Sequence, residues 1–225
     1  MLWIAIVCGV LVVAGVGSAG LYRSRPLLAL ELGLGGSVAA CVLGAVASAV
    51  RLLSAATPVA ATLWGAPLGD LRVGLDPLSD FFLLCICAVS ALAALYGIGY
   101  CRKEIGSARP GAALFSFNLL VVSMIGVVIS RDVISFLISW EVMTLFSFFL
   151  VGYEHDRPEV RRAGFLYLAA SQVGVVFIFV LFGLLAKGAG SYRFDLFAAD
   201  PGSGLAAVCF LLALVGFGTK AGFWM

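Results

Sequence analysis

Seven long apolar runs follow one another along the chain, covering about 2–20, 27–50, 77–100, 112–130, 133–153, 162–186 and 204–225. Each is near the roughly 20 residues that a bilayer crossing requires. The runs are continuous rather than alternating, which is the pattern of helices. Only helices or closed barrels satisfy every backbone polar group inside lipid. The predicted fold class is therefore an all-α polytopic membrane protein of about seven transmembrane helices, forming a single membrane domain over 1–225.

The polar breaks between runs carry further information. Residues 57–76 interrupt the pattern with GDLRVGLD, where Leu71, Val73 and Leu75 alternate with Arg72, Gly74 and Asp76. That is a strand period, and Gly65 with Pro67 can turn an earlier strand into it, so a short β-hairpin is expected between helices two and three. Asp76-Pro77 then suits an N-cap followed by proline at the first helical position. Only Arg131-Asp132 separates runs four and five, which forces a tight antiparallel helix pair. The first run has no basic segment before it and is followed by Arg23 and Arg25, the reverse of a cleaved signal peptide, so it is expected to be retained.

Orientation follows from the basic residues. Connections after runs one, three and five hold Arg23, Arg25, Arg102, Lys103, Arg109, Arg157, Arg161 and Arg162. Those after runs two, four and six hold Arg51, Arg72, Arg131, Lys187 and Arg193. The first set is larger and marks the cytoplasmic side, placing the N-terminus and the hairpin outside.

Composition narrows the function classes. The chain is 63% hydrophobic and 12% charged, with net charge +2. A soluble domain usually has about 25% charged residues, so the lipid bilayer is the solvent here. No basic cluster exists to meet a phosphate backbone, which argues against nucleic acid. The cysteines Cys8, Cys41, Cys85, Cys87, Cys101 and Cys209 lie in or at the edge of apolar runs, and the one histidine, His155, lies in a charged connection. This supplies no evident ligand set for a metal or haem, and the cysteines suit small apolar packing.

Against this background Glu141 stands out, alone among the apolar residues of the fifth run, SFLISWEVMTLFSFFLV. A carboxylate at such depth costs about 2.5–3.5 kcal/mol on insertion scales, and such groups face a partner, a water cavity or a proton path. Counting from Val133, Glu141 lies about 12 Å in. Either it is protonated and hydrogen-bonds a neighbouring helix, or it faces a base or water.

The candidate base is Lys220, in LLALVGFGTKAGFWM. Gly216, Gly218 and Gly222 make a weak place in that helix, and transporters use broken helices near the midplane to expose backbone groups. The alternative is that Lys220 snorkels to the surface. If its helix begins at Gly204 it lies about 24 Å in, deeper than Glu141. A buried acid and base make a proton switch: burial favours the neutral form of each, and pairing restores both charges. Thr144, Ser139 and Thr219 are candidate auxiliary hydroxyls. Ser171 and Gln172 in run six suit hydrogen-bonded helix packing, Glu31 suits the interface, and EHDRPEVRR suits a solvated loop.

Taken together, LDPLSDFF, SWEVMTLFSFFLVGYEHDRPEVRRAGFLYLAASQVG and LVGFGTKAGFWM resemble the antiporter-like subunits shared by respiratory complex I, multisubunit cation/proton antiporters and group 4 membrane-bound hydrogenases, most closely the formate hydrogenlyase branch. The resemblance spans roughly residues 70–225 and implies several things. A glutamate of helix five, here Glu141, pairs with a lysine of helix seven, here Lys220, and the pair gates proton transfer. The fold is roughly fourteen helices with two inverted repeats. This chain stops at Met225, so a partial subunit is expected, holding one end of a proton path.

The resulting expectation is part of a proton-translocating subunit of a membrane-bound hydrogenase or NADH:quinone oxidoreductase-like complex. It would carry no redox cofactor of its own, and redox cofactors belong to partner subunits. Its partners would be other membrane subunits and a peripheral redox module, in a bacterial or archaeal cell membrane, with protons as the ion and Na+ as the alternative. A sodium/proton antiporter subunit is one rival. A non-conducting scaffold that anchors a peripheral redox enzyme is the rival of a different class.

Overall fold

The computed structural model describes residues 1–66, 69–103, 105, 109–197 and 203–223. The helices are α1 (Leu2–Leu21), α2 (Pro26–Leu53), α3 (Pro77–Lys103), α4 (Arg109–Ile129), α5 (Val133–Val151), α6 (Pro158–Ala189) and α7 (Ser203–Lys220). Among the described residues, the first six are long and apolar enough to cross a membrane, and the apolar part of α7, Gly204–Lys220, is slightly shorter. A two-stranded antiparallel hairpin, β1 (Val59–Ala66) and β2 (Gly69–Leu75), joins α2 to α3 and pairs Val59 with Leu75. Its tip at Pro67 lies outside the described residues.

The arrangement is a polytopic helical bundle built on period-3.6 packing. In α1 the buried positions are Ile4, Val7, Leu11, Ala14 and Ser18, one stripe of a helix, while Val13 and Val16 face outward. That outward apolar surface is what a lipid-facing helix requires. The stripe packs on α2 and α4, α2 packs on α3, α4 on α5, and α6 on α7. Met1, Ile4, Leu75 and Ile129 share one core cluster, so the N-terminus, the hairpin and the α4–α5 connection lie at the same end of the bundle. This is called the hairpin end below.

Helix α2 is not regular. Glu31–Gly35 forms a π turn, and such a turn displaces a carbonyl from the helical ladder. The fully buried Asn118 of α4 uses that group: its Nδ2 donates to Gly33 O at 3.2 Å and to Leu114 O at 2.9 Å. Ser37 Oγ in turn donates to Asn118 Oδ1 at 2.9 Å.

The Arg131-Asp132 connection does more than reverse the chain. Arg131 N donates to Arg72 O of β2, and Phe194 N donates to Arg131 O, so the connection lies between the hairpin and the segment after α6. Asp132 is buried and caps α5: its Oδ1 accepts from Ser135 N at 2.8 Å, and its Oδ2 accepts from Arg72 N at 2.7 Å. Arg131 Nη2 reaches Asp76 Oδ2 at 2.9 Å and Ser79 Oγ at 2.7 Å, at the start of α3. Beside this clasp, Arg51 Nε bonds both oxygens of the buried Asp80 at 3.0 Å, tying α2 to α3.

Candidate functional site

The polar centre lies where α5, α6 and α7 meet. Thr144 is the buried polar residue on the inner face of α5. Its hydroxyl donates to Trp140 O at 3.0 Å, one turn back. A hydroxyl also accepts, and Lys220 Nζ donates to Thr144 Oγ1 at 2.8 Å. The same amino group donates to Tyr167 OH of α6 at 3.0 Å and lies 5.2 Å from the centre of the Tyr167 ring. Lys220 therefore does not snorkel outward. It is seated inside the bundle on two oxygen acceptors and an aromatic face, which suits an ammonium.

Glu141 sits three positions before Thr144, about 4.5 Å back along α5. Its Oε2 accepts from Gln172 Nε2 at 3.2 Å, and its Oε1 is buried with no hydrogen-bond partner. The acid and the base are thus brought to neighbouring turns, each on its own neutral partner, rather than onto each other. The greater depth of Lys220 along its helix is met by the length of its side chain, which reaches back to Thr144.

The remaining candidates have separate places. Thr219 is buried and turned to its own helix, donating to Gly216 O at 2.8 Å. Ser139 lies against Gly126 of α4, away from the lysine. Gly216 is the point where α7 meets α6: a Cβ there would come within 2.6 Å of Ile178 Cγ1. Helix α7 stays regular through Gly216 and Gly218 and ends at Lys220, followed by a turn over 221–223. Gly222 adopts φ +88, Gly222 N donates to Thr219 O, and Phe223 N donates to Gly218 O. This is the Schellman ending, which needs a left-handed residue. Lys220 thereby occupies the last turn, where the negative end of the helix dipole favours a cation.

An aromatic layer closes the site toward the hairpin end. Trp140 meets Phe217 edge-to-face at 5.6 Å, and Phe136 contacts Trp140, Phe182, Phe194 and Phe217. Val133, Leu137 and Ile178 complete this apolar plug.

Sequence reasoning missed Tyr167, Asn118 and the Arg51–Asp80 pair, and it assigned Gln172 to packing. Asn118 carries the same signal that singled out Glu141, a strongly polar group in an apolar run, whereas Asp80 lies in the polar first turn of its helix beside Ser79. Tyr167 carries no such signal, because an amphipathic aromatic fits an apolar run as it stands.

A bundle of long apolar helices with a half-buried lysine and glutamate where α5, α6 and α7 meet defines a polytopic membrane protein, and comparison with known proteins resolves the family. Residues 130–225 match the family described as NADH:quinone oxidoreductase/Mrp antiporter, TM, a stretch that contains both Glu141 and Lys220. The chain is 40% identical over 166 residues to an uncharacterised protein of Mycobacterium tuberculosis, covering 71% of this chain and 24% of that protein. It is 35% identical over 156 residues to hydrogenase-4 component B of Escherichia coli, covering 68% of this chain and 23% of that one. It superposes on a chain of the Mrp complex from Dietzia with a TM-score of 0.78 at 22% identity, covering 97% of this chain and 23% of that chain. The chain belongs to the superfamily of membrane subunits shared by complex I-type oxidoreductases, Mrp antiporters and group 4 hydrogenases. It spans about a quarter of the length of the curated relatives it matches.

Proposed function

We propose that this chain forms part of a proton-translocating subunit of a membrane-bound hydrogenase or NADH:quinone oxidoreductase-like complex, with Glu141 and Lys220 as one end of its proton path. The observation that carries this reading is the seat of Lys220. A primary amine is drawn into the bundle onto Thr144 and Tyr167, within a turn of a carboxylate that has one oxygen unpaired.

An amine on a long flexible stem moves readily between neighbouring acceptors. When Lys220 swings from Thr144 to Glu141, the two form an ion pair that favours both charges. When it swings back, the carboxylate loses its counter-ion and becomes the better proton acceptor. Any displacement of α7 against α5 thus moves a proton at Glu141. The aromatic plug keeps the exchange from leaking to the hairpin end.

The excess of basic residues at the opposite end supports an orientation with the N-terminus and the hairpin outside. Redox cofactors then belong to partner subunits of a peripheral module, and other membrane subunits flank this one. Similarity to a hydrogenase component at 35% identity favours the hydrogenase branch.

The test is Glu141→Gln in the full-length subunit within its complex. Proton pumping should be abolished while the complex still assembles, and normal pumping by that variant sinks the reading. Dependence of the activity on sodium favours exchange in the antiporter manner. Unchanged proton movement combined with release of the peripheral enzyme on deletion of the subunit favours the scaffold.

A further inference from the structure

Both members of the pair are held by α6, a helix whose residues facing them are uncharged. Gln172 donates to Glu141 Oε2 at 3.2 Å, and Tyr167 receives Lys220 Nζ at 3.0 Å. The two α6 residues are five positions apart, about 7.5 Å along the axis. A helix with seats so spaced holds the carboxylate and the amine beyond the reach of a direct ion pair. On α5, Thr144 adds a third contact to the lysine alone.

The residue types suit this task. An amide donates to a carboxylate without taking a proton from it, so Gln172 restrains Glu141 and leaves its charge free to change. A phenol offers an acceptor oxygen and a ring face, so Tyr167 holds a cation without neutralising it. An acid at the lysine's seat, or a base at the glutamate's, would instead hold its guest as a permanent ion pair. The separated arrangement also leaves Glu141 Oε1 buried and unbonded. A buried acceptor without a partner is unfavourable, so a nearby arrangement that gives it the ammonium competes closely with this one.

We propose that Tyr167 and Gln172 are positioning residues that hold Lys220 and Glu141 apart, making the separated state a defined station of the cycle. The proposal rests on the proton-path reading above. Without these seats the amine and carboxylate collapse onto each other, and a pair that does not open passes no proton. Gln172 sets where the acid waits, and Tyr167 sets where the base waits.

The experiment uses the full-length subunit in its complex, reconstituted into proteoliposomes. Gln172→Met keeps the side-chain length and removes the donor, and Tyr167→Phe keeps the ring and removes the hydroxyl. Each should slow proton transport roughly tenfold, the scale of one hydrogen bond to a charged group. Cryo-electron microscopy of each variant should show Lys220 Nζ moved to within about 4 Å of the Glu141 carboxylate. Gln172→Asn, which retains an amide, should recover part of the rate. A merely structural role would lower assembly or melting temperature without closing the pair. Wild-type transport by both variants, or Lys220 still seated on Thr144 in both structures, overturns the proposal. Glu141→Gln separates the two levels. If it is inactive while Gln172→Met and Tyr167→Phe run at the wild-type rate, only the seats fall. If it runs normally, the pair is not the path and the seats fall with it.

Discussion

Single polar side chains inside this bundle fall into two kinds, and their partners tell them apart. Asn118 and Ser37 are fully buried and hydrogen-bonded to each other, and Asn118 also bonds the backbone. They have nothing left to exchange, so they join helices α2 and α4. Glu141 and Lys220 are half-buried, have uncharged partners, and Glu141 retains an unbonded oxygen. The first kind suits a fixed contact and the second a moving one. Asn118→Leu should therefore reduce stability by about 1–2 kcal/mol, because it removes the amide hydrogen bonds that join Gly33 O and Ser37 of α2 to α4. Thermal unfolding in detergent measures this, and an unchanged melting temperature would contradict the role. At this scale the sequence locates charged groups within apolar runs and is silent about what they touch. Glu141 and Lys220 were legible as charges in apolar runs. Gln172 and Tyr167 were not, since each looks like packing until the azimuth of α6 is known.

The elements are positioned from the hairpin end. Residues Arg131 and Asp132 lie between β2 and the segment after α6, with Asp132 capping α5 and Arg131 reaching the start of α3. The start of α5 is thus fixed on both sides, and with it the depth of Glu141 eight residues on. Asp76 is a titratable member of this clasp. Partial burial pushes its carboxyl up, but hydrogen bonds from Ser79 and the guanidinium of Arg131 outweigh it, so the carboxyl titrates below its ordinary value. A carboxyl lowered in the folded state contributes stability above its unfolded value of 3.8 and loses it as pH falls through the lower folded value. Asp76→Asn should therefore be less stable than the parent at neutral pH, with the difference fading in acid. A difference that persists or grows in acid would contradict the assignment. The alternation in GDLRVGLD and the two-residue break before α5 made the hairpin and the helix turn legible in advance. That the two would be laced together was not legible, because the side chains of Arg131 and Asp132 find their partners across 55 and 60 residues and the rest of the lacing is done by backbone groups, which carry no sequence signature.

Seen whole, the molecule has one end rich in paired charges and one rich in basic loops. At the hairpin end Arg51, Arg131 and Arg193 bond Asp80, Asp76 and Asp195, respectively. The proposed orientation puts this end outside. Replacing Ser54 at the hairpin end, or His155 at the other, with cysteine tests it in right-side-out vesicles. A membrane-impermeant maleimide should label S54C at once, measured against the parent's own cysteines, and H155C only after permeabilisation. The reverse order would invert the topology and place the aromatic plug on the cytoplasmic side of the site.

The amino-acid sequence by itself determined that this is a helical membrane protein, roughly where its helices lie, and that Glu141 and Lys220 are charged residues within apolar runs. Those properties are local: the length of an apolar run and the presence of a charge within it are read along one dimension. Only the tertiary structure decided who holds whom. Lys220 meets Thr144 across 76 residues and Glu141 meets Gln172 across 31. Those contacts depend on the rotation and depth of three helices at once, and packing sets both through Gly216 against Ile178, Trp140 against Phe217, and the clasp at Arg131-Asp132.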